Sequence, residues 1–267
     1  MKELFFLGAG KMASAIAGGI VKSGLYGADD LAAFDISGTA CENFSRISSV
    51  SCCANVCSGA ADASRILVAV KPQMMESALN PLKDILKNKL IISIAAGVSV
   101  AKLYELTGSE RIIRVMPNTP AMAGAGAAAF SASCGVADGD KEFVKKLFGA
   151  VGTVTEVSEN LMDAVTGLSG SGPAYVFTFI QALADGGVAE GLSRSAALEL
   201  AVQTVLGAAK MVQETGIHPM VLCDQVNSPA GTTGRALEVL AENRFSATVI
   251  KSVRAAAARS RELGAKK

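Results

Sequence analysis

The feature that most constrains this chain is a glycine turn close to its first residue. The apolar segment Leu4–Leu7 runs directly into Gly8-Ala9-Gly10-Lys11-Met12-Ala13. This is the G-x-G-x-x-G/A pattern, in which the first glycine permits a tight turn, the second lets a diphosphate approach the backbone, and a small last residue keeps helix and strand close. Free N–H groups and the helix dipole favour phosphate at such a helix start. The pattern predicts a dinucleotide site with contacts from Gly8, Ala9, Gly10, Lys11 and Met12.

Short apolar runs continue at intervals after this turn. They cover Leu31–Phe34 and residues 66–70, 90–95 and 111–116, and helix-length stretches such as 11–23 and about 73–87 lie between them. Strands that are apolar on both faces and alternate with helices are typical of a mostly parallel sheet covered on both sides. We therefore predict an α/β fold in which residues 1–157 form a Rossmann-type dinucleotide-binding domain.

The pattern becomes helical after about residue 158. Pro173 can open a helix to about residue 189, Ser193 or Ser195 can cap a second to about residue 215, and Gly216 can end it. Two more helices are predicted over about 233–242 and from about 246 to the end of the chain. Residues 158–267 are thus predicted to form an all-helical domain.

Composition indicates how this helical domain is used. Half of the residues are apolar, 18% are charged, and the formal net charge is only +1. A chain without basic excess is a poor candidate for binding nucleic acid. The segment 196–212 is apolar around most of a helix circumference, which predicts burial between subunits in a homodimer or a higher homo-oligomer.

Neither a membrane segment nor a metal site is predicted. The uncharged run 164–184 contains three glycines and a proline, and the N-terminal apolar run is too short for an export signal. These observations favour a cytoplasmic protein whose six cysteines are thiols. Cys52, Cys53 and Cys57 lie close in sequence, but no Cys or His pair completes a zinc-type spacing.

Further cofactor contacts are predicted where apolar runs end. Asp35 stands 25 residues after Gly10, where a carboxylate can accept a hydrogen bond from a ribose hydroxyl. That carboxylate would repel a 2′-phosphate, which favours NADH over NADPH, although Ser37 nearby could serve a phosphate. Both cofactors therefore stay open.

Three other predicted strands are followed by candidate ligand-facing segments. Ligands of open parallel sheets bind at the carboxyl ends of the strands. The predicted contacts there are Val70, Lys71 and Pro72, then Ala96, and then Asn118, which stands in the loop Met116-Pro117-Asn118-Thr119-Pro120. The two prolines fix that loop, which suits one wall of a nicotinamide pocket.

A second informative segment runs from residue 226 to residue 237. It reads VNSPAGTTGRAL, so glycine and small hydroxylic residues lead directly into an amphipathic helix. Free N–H groups together with Ser and Thr hydroxyls at such a turn can seat a small carboxylate. An ordinary capped helix is the alternative interpretation of this segment.

The order of these motifs resembles the pyrroline-5-carboxylate reductase family. The resemblance rests on residues 8–13, AVKP at 69–72, MPNTP at 116–120, GLSGSGPAY at 167–175 and SPAGTTGRAL at 228–237. It implies NAD(P)H-dependent reduction of 1-pyrroline-5-carboxylate to L-proline, with a C-terminal helical domain that joins two subunits.

The resemblance also implies individual roles. Thr233 matches the threonine that hydrogen-bonds the substrate ring nitrogen, and Ser228 together with the N–H groups near Gly231 and Thr232 matches the carboxylate seat. Asn55 matches an asparagine near the cofactor ribose. The chain departs from the family pattern at three positions, where Asn227 replaces a small hydroxylic or thiol residue, Ala230 replaces a glycine, and Gly234 replaces a branched residue.

Two other functions remain open from the sequence. A β-hydroxyacid dehydrogenase would need lysine and asparagine where this chain has Val176 and Ile180, and neither side chain can move a proton. A protein that senses NAD(P) without turnover would share the glycine turn but would not need the segment 228–233.

Overall fold

A single seven-stranded sheet organises the N-terminal half of the chain. In the computed structural model, which describes residues 1–265, the strand order is β2-β1-β3-β4-β5-β6-β7. The strands are β1 Leu4–Leu7, β2 Leu31–Phe34, β3 Arg65–Val68, β4 Leu90–Ser93, β5 Ile112–Met116, β6 Gly126–Ala132 and β7 Gly152–Glu156. Strands β1 to β5 are parallel, β6 is antiparallel to β5, and β7 is parallel to β6. The predicted mostly parallel sheet is confirmed.

Helices connect most of these strands and form most of the described chain after β7. They are α1 Lys11–Lys22, α2 Gly38–Ser48, α3 Val56–Ala61, α4 Met75–Leu79, α5 Lys83–Leu86, α6 Val100–Thr107, α7 Asp138–Gly149, α8 Met162–Val165, α9 Gly172–Ala189, α10 Arg194–Thr215, α11 Pro219–Val226, α12 Thr232–Glu242 and α13 Phe245–Ala265.

Strand β1 shows why apolar residues occupy both faces of the sheet. Its four residues are buried, and successive side chains point to opposite faces. Leu4 and Phe6 belong to the core under α1 and α7, whereas Phe5 and Leu7 belong to the core under α4 and α6. Each face is therefore covered by its own helical layer, as a parallel sheet requires.

The helical stretch predicted over about residues 73–87 is present, but it is not one continuous α-helix. The segment is divided into a 3₁₀ turn at Pro72–Met74, then α4, a second 3₁₀ turn at Asn80–Leu82, and α5. Pro81 lies in the second turn and has no backbone N–H, so a continuous α-helix cannot pass through it without losing a hydrogen bond.

The contacts divide the described chain into two compact units. One comprises residues 1–171 together with the chain from residue 255 onward, and the other comprises residues 172–254. Within the second unit α9 packs on α10 around Ala184, Ala197 and Ala201. Residues 266 and 267, where the last predicted helix was to end, lie outside the described part of the chain.

Helix α10 begins and ends where the sequence predicts. The Ser193 side chain accepts a hydrogen bond from the N–H of Ala196, and Gly216 ends the helix at a φ of 65°. Leu200 and Leu206 are each 57% exposed. By length and composition α10 could also cross a membrane, but one such helix is weak evidence, and an apolar helix that meets another subunit has the same properties.

Candidate functional site

The glycine turn lies where the direction of strand succession reverses. Strand β1 pairs with β2 on one side and with β3 on the other, and open α/β sheets bind ligands outside such a switch point. Gly8 has a φ of +106°, and a Cβ at this residue would lie 2.9 Å from the carbonyl carbon of Ala69. Only glycine therefore permits this turn.

The space around the Cα of Gly10 is empty, unlike the space around Gly8. It precedes α1 in extended conformation, without a side-chain cap, and a Cβ at Gly10 would meet nothing within 4 Å. The backbone N–H groups that begin α1 are therefore accessible to a ligand. Lys11 and Lys71, both exposed, add positive charge beside this turn. Open N–H groups, space at Gly10 and two ammonium groups fit a diphosphate.

A cavity of about 650 Å³ extends from this turn along the carboxyl ends of β1, β2 and β3. Seven predicted cofactor residues line it: Gly8, Gly10, Lys11, Met12, Asp35, Val70 and Lys71. Ala9, Asn55, Pro72, Ala96 and Asn118 do not. An apolar wall that the sequence did not indicate completes it: Phe34, Ile36, Val56, Met74, Ala78 and Pro81. The size and the apolar wall suit the adenosine half of a dinucleotide.

Asp35 links the glycine turn to the turn that follows β2, at the mouth of this cavity. It directly follows β2, and its carboxylate accepts hydrogen bonds from the N–H of Ala9 at 2.8 Å and the N–H of Ser37 at 2.9 Å. The carboxylate is thus held in place before any ligand binds. Ile36 beside it is 82% exposed. The sequence signal for this adenosine-side wall was an apolar residue directly after the predicted ribose-binding carboxylate.

Four of the predicted residues that do not line the cavity occupy other positions in the structure. The Asn55 side chain caps α3 by accepting a hydrogen bond from the N–H of Ser58 at 3.0 Å. Pro72 opens a 3₁₀ turn, and Ala96 is exposed in the turn after β4. The Asn118 side chain is buried and hydrogen-bonded to the backbone on both sides. Their cofactor contacts remain predictions.

The cysteines form no disulfide in this structure. All six are free. Burial, reinforced by a hydrogen bond with Cys41, raises the pKa of Cys52 to about 12, so this thiol stays protonated at neutral pH. Within the described residues, no three or more His, Cys, Asp or Glu side chains come together in a group that could hold a metal ion.

The second glycine-bearing turn belongs to the other unit and joins α11 to α12. Gly231 precedes α12, its N–H donates to the Ser228 carbonyl at 3.0 Å, and a Cβ at Gly231 would lie 2.3 Å from Ser228 Oγ. Ala230 has a φ of 55°, a left-handed conformation that glycine adopts more readily. This explains why glycine would be common at that position.

The turn forms a concave surface at the start of α12. The space measures about 540 Å³ and is lined by Asn227, Ser228, Pro229, Ala230, Gly231, Gly234, Arg235 and Glu238. Ser228 and Gly231 of the predicted carboxylate seat are therefore brought together. Thr232 and Thr233 do not line it but form the first turn of α12, whose N–H groups have no partner within the helix. These N–H groups and the Ser228 hydroxyl can bind a carboxylate.

Comparison with known proteins adds independent information about both units. Residues 159–263 match a family described as "Pyrroline-5-carboxylate reductase dimerisation". Residues 3–97 match one described as "NADP oxidoreductase coenzyme F420-dependent".

Individual relatives match over nearly the whole chain. A pyrroline-5-carboxylate reductase of Arabidopsis thaliana is 47% identical over 259 residues, which cover 97% of this chain and 94% of the relative. The solved structure of such a reductase from Coxiella burnetii superimposes with a TM-score of 0.93 at 35% identity, covering 98% of each chain. The reductase of Plasmodium falciparum, solved with NADP bound, has a TM-score of 0.87 at 36% identity, again over 98% of each chain. This chain therefore belongs to the pyrroline-5-carboxylate reductase family.

Proposed function

We propose that this protein reduces 1-pyrroline-5-carboxylate to L-proline with NADPH or NADH. The observation that carries the proposal is the 47% identity over 97% of the chain to a protein of that name. The two turns described above lie within residues 3–97 and 159–263, which the two family models match. We call the turn of residues 228–233, between α11 and α12, the carboxylate turn; a protein that only sensed the cofactor would not need it. A hydroxyacid dehydrogenase would need proton-transferring side chains where this chain has Val176 and Ile180, which cannot transfer a proton.

The residues of the cofactor cavity hold and orient the dinucleotide in this proposal. Gly8, Gly10 and the start of α1 receive the diphosphate, and Asp35 accepts from the adenosine ribose. When bound, the reduced nicotinamide supplies a hydride to the imine carbon. The protein thus mainly has to fix the position of two reactants, which by itself can provide a large part of a rate acceleration.

The carboxylate turn binds the substrate and assists protonation of its ring nitrogen in this proposal. Ser228 and the N–H groups at the start of α12 bind the substrate carboxylate, and the Thr233 hydroxyl hydrogen-bonds the ring nitrogen and relays its proton from water. The nitrogen gains one proton as the carbon gains one hydride, so the cyclic imine becomes a neutral cyclic amine. A protonated imine is strongly electrophilic, and no metal or covalent intermediate is required.

Cofactor preference should depend on the charge of Asp35. In the D35N variant one oxygen acceptor remains, but the negative charge that opposes a 2′-phosphate is removed. We expect the ratio of the Kd for NADPH to the Kd for NADH to fall roughly tenfold, the size of one partly screened charge interaction. Fluorescence titration of both cofactors measures this ratio. D29N, an exposed carboxylate outside the cavity, is the control, and an unchanged ratio in D35N would contradict the assigned role.

We further propose that the protein is a homodimer, with the option of higher assembly, joined through the helices of residues 158–267. The family match over residues 159–263 supports this division, as does the exposure of apolar side chains along α10. Residues 1–157 then form the cofactor domain. We also propose a cytoplasmic location, which the family resemblance supports.

Charging the apolar face of α10 should break the dimer. L206E places an unpaired carboxylate where we propose another subunit packs, so we expect the dimer Kd to rise at least roughly a hundredfold, since an unpaired buried charge costs about 3–5 kcal/mol. Sedimentation velocity over a concentration series measures the change. I47E adds the same charge at a 54% exposed apolar residue of α2 and should sediment as the unmodified protein does. Equal assembly of both variants would refute the proposed interface.

The decisive test of the activity is oxidation of NADPH and NADH, in parallel, on addition of 1-pyrroline-5-carboxylate. Production of L-proline in equal amount to oxidised cofactor supports the proposal. Cofactor binding without turnover would favour a sensing protein, and turnover with 2- or 3-hydroxy acids alone would favour a dehydrogenase.

A further inference from the structure

We propose that Asn227 is a substrate-binding residue, whose side-chain amide donates a hydrogen bond to the substrate carboxylate and reaches it because residue 234 is glycine. This inference rests on the proposed reductase function and adds one residue to the carboxylate turn. Asn227 directly precedes that turn and lines the same concave surface as Ser228 and Gly231. All the residues that carry the proposal lie between residues 223 and 238, within the second compact unit.

The end of α11 fixes the backbone from which the Asn227 side chain extends. The N–H of Asn227 donates to the carbonyl of Cys223 at 3.2 Å and to the carbonyl of Asp224 at 3.1 Å. Asn227 itself has an extended backbone conformation, so it ends α11 and begins the reversal that leads into α12. The base of the side chain is therefore held in place, and its own torsions decide where the amide lies.

Two glycines at the start of α12 provide a face without side chains. Gly231 directly precedes the helix and Gly234 is its third residue, so the two lie on the same side of the helix start, about one turn apart. A Cβ at Gly231 would lie 2.3 Å from Ser228 Oγ, and a Cβ at Gly234 would lie 3.1 Å from Asn227 Oδ1. The hydroxyl and the amide of two consecutive residues therefore cover the two glycines side by side.

Both of these covering groups are available to a ligand. Within the described part of the chain, neither the Ser228 hydroxyl nor the Asn227 amide forms a hydrogen bond with another protein group. The first N–H groups of α12 also have no partner within the helix and no side-chain cap. A carboxylate can accept about four hydrogen bonds through its two oxygens. The hydroxyl and the N–H groups fill part of that capacity, and Asn227 Nδ2 supplies a further donor at the same surface.

The charged residues of this surface leave recognition to such neutral donors. Among the residues that line it, Arg235 and Glu238 carry charge. The Arg235 guanidinium donates to the Glu238 carboxylate at 2.9 Å, and both side chains are exposed. The pair thus adds no net charge, and each of its members is screened by water. A substrate carboxylate therefore has to be held by hydrogen bonds, which makes the Asn227 amide a substantial contributor.

The glycine at residue 234 determines whether the amide can occupy this place. A methyl group at Gly234 would stand in tight contact with the amide oxygen, 3.1 Å away, and a branched side chain would add further carbon atoms in the same space. Asn227 and Gly234 are also two of the three positions at which the chain departs from the family pattern. Their contact explains how the two departures fit together, since the amide occupies space that a side chain at residue 234 would need.

The first test compares N227A with Q225A, which removes another exposed amide of α11 that does not line the surface. We expect N227A to raise the KM for 1-pyrroline-5-carboxylate roughly tenfold to a hundredfold, as the loss of a hydrogen bond to a charged group would. Its kcat should stay within about threefold, because the carboxylate is held alike before and during hydride transfer. Q225A should keep the unmodified KM, and both variants should keep the unmodified Tm within about 2 °C, since both side chains are exposed.

The role of Gly234 is tested by a double-mutant cycle. G234V should raise the KM as N227A does, because the valine displaces the amide. In the N227A background the same valine should raise the KM by less than about twofold, since no amide is left to displace. Valine is no worse than glycine within a helix, so the Tm of G234V should not fall by more than about 2 °C. Additive effects on KM would show that Gly234 does not act through Asn227.

Equilibrium binding of cyclopentanecarboxylate separates this inference from the proposed function. This ring acid has the carboxylate but no imine, so it can bind but cannot be reduced. Isothermal titration in the presence of NADPH should give a Kd that rises roughly tenfold to a hundredfold in N227A and stays within about twofold in Q225A.

If the unmodified protein shows this pattern of binding but does not reduce 1-pyrroline-5-carboxylate, the proposed function fails and the role of Asn227 stands. If the protein is an active reductase and N227A keeps the unmodified KM, the role of Asn227 is wrong and the proposed function stands. A protein that neither binds the ring acid nor reduces the imine has no carboxylate site, and both proposals are then wrong.

Discussion

Replacing Thr233 with valine should lower kcat/KM for 1-pyrroline-5-carboxylate by roughly tenfold to a thousandfold, the range expected for one or two hydrogen bonds to the reacting nitrogen. Valine has nearly the same shape as threonine but cannot hydrogen-bond. The residue preceding α12 is Gly231, and no side chain caps this helix, so the helix does not depend on the Thr233 hydroxyl. The loss should therefore appear in activity and not in stability.

The matched variant is T233S, which retains the hydroxyl and loses only a methyl group. Its kcat/KM should remain within about threefold of the unmodified enzyme, because the hydrogen bond to the nitrogen is preserved. Steady-state rates of both variants with saturating cofactor, together with their Tm values, make the comparison. If T233V and T233S are equally active, Thr233 has no part in the mechanism.

Methyl groups at Gly8 and Gly10 should produce opposite defects. In G8A the new Cβ meets the backbone at Ala69 within 2.9 Å at a φ of +106°, so we expect a loss of about 3 kcal/mol in the free energy of unfolding and a Tm lowered by roughly 6–12 °C. In G10A nothing in the protein lies within 4 Å of the Cβ, and the Tm without cofactor should be unchanged.

G10A should instead fail in cofactor binding. The methyl group occupies the space through which a diphosphate approaches the backbone, so the Kd for NADPH should rise roughly tenfold to a hundredfold, the cost of a steric conflict of about 1–3 kcal/mol. The measurement is the rise in Tm on adding NADPH, which should be present in the unmodified protein and nearly lost in G10A. A full cofactor-dependent rise in G10A would show that the diphosphate lies elsewhere.

Several elements could be predicted because their signals are local. The glycine turn, the Ser193 cap and the Gly216 stop of α10 each depend on residues within one or two turns of each other. Strands β1 to β5 could be located because burial on both faces makes them predominantly apolar. Strand β6 was not indicated, since its sequence GAAAFSA has little intrinsic strand preference.

The sequence by itself determined where the glycine turn lies, that a buried strand leads into it, and where the second glycine-bearing turn leads into a helix. Only the tertiary structure decided that the Asp35 carboxylate is held by the N–H of Ala9, 26 residues away, and that the Asn118 amide meets the Ser169 carbonyl, 51 residues away. The physical reason is that caps and turns satisfy backbone groups of neighbouring residues. A buried donor left over after secondary structure has formed pairs instead with whichever acceptor the packing of distant elements brings within about 3 Å, and no local pattern records that partner.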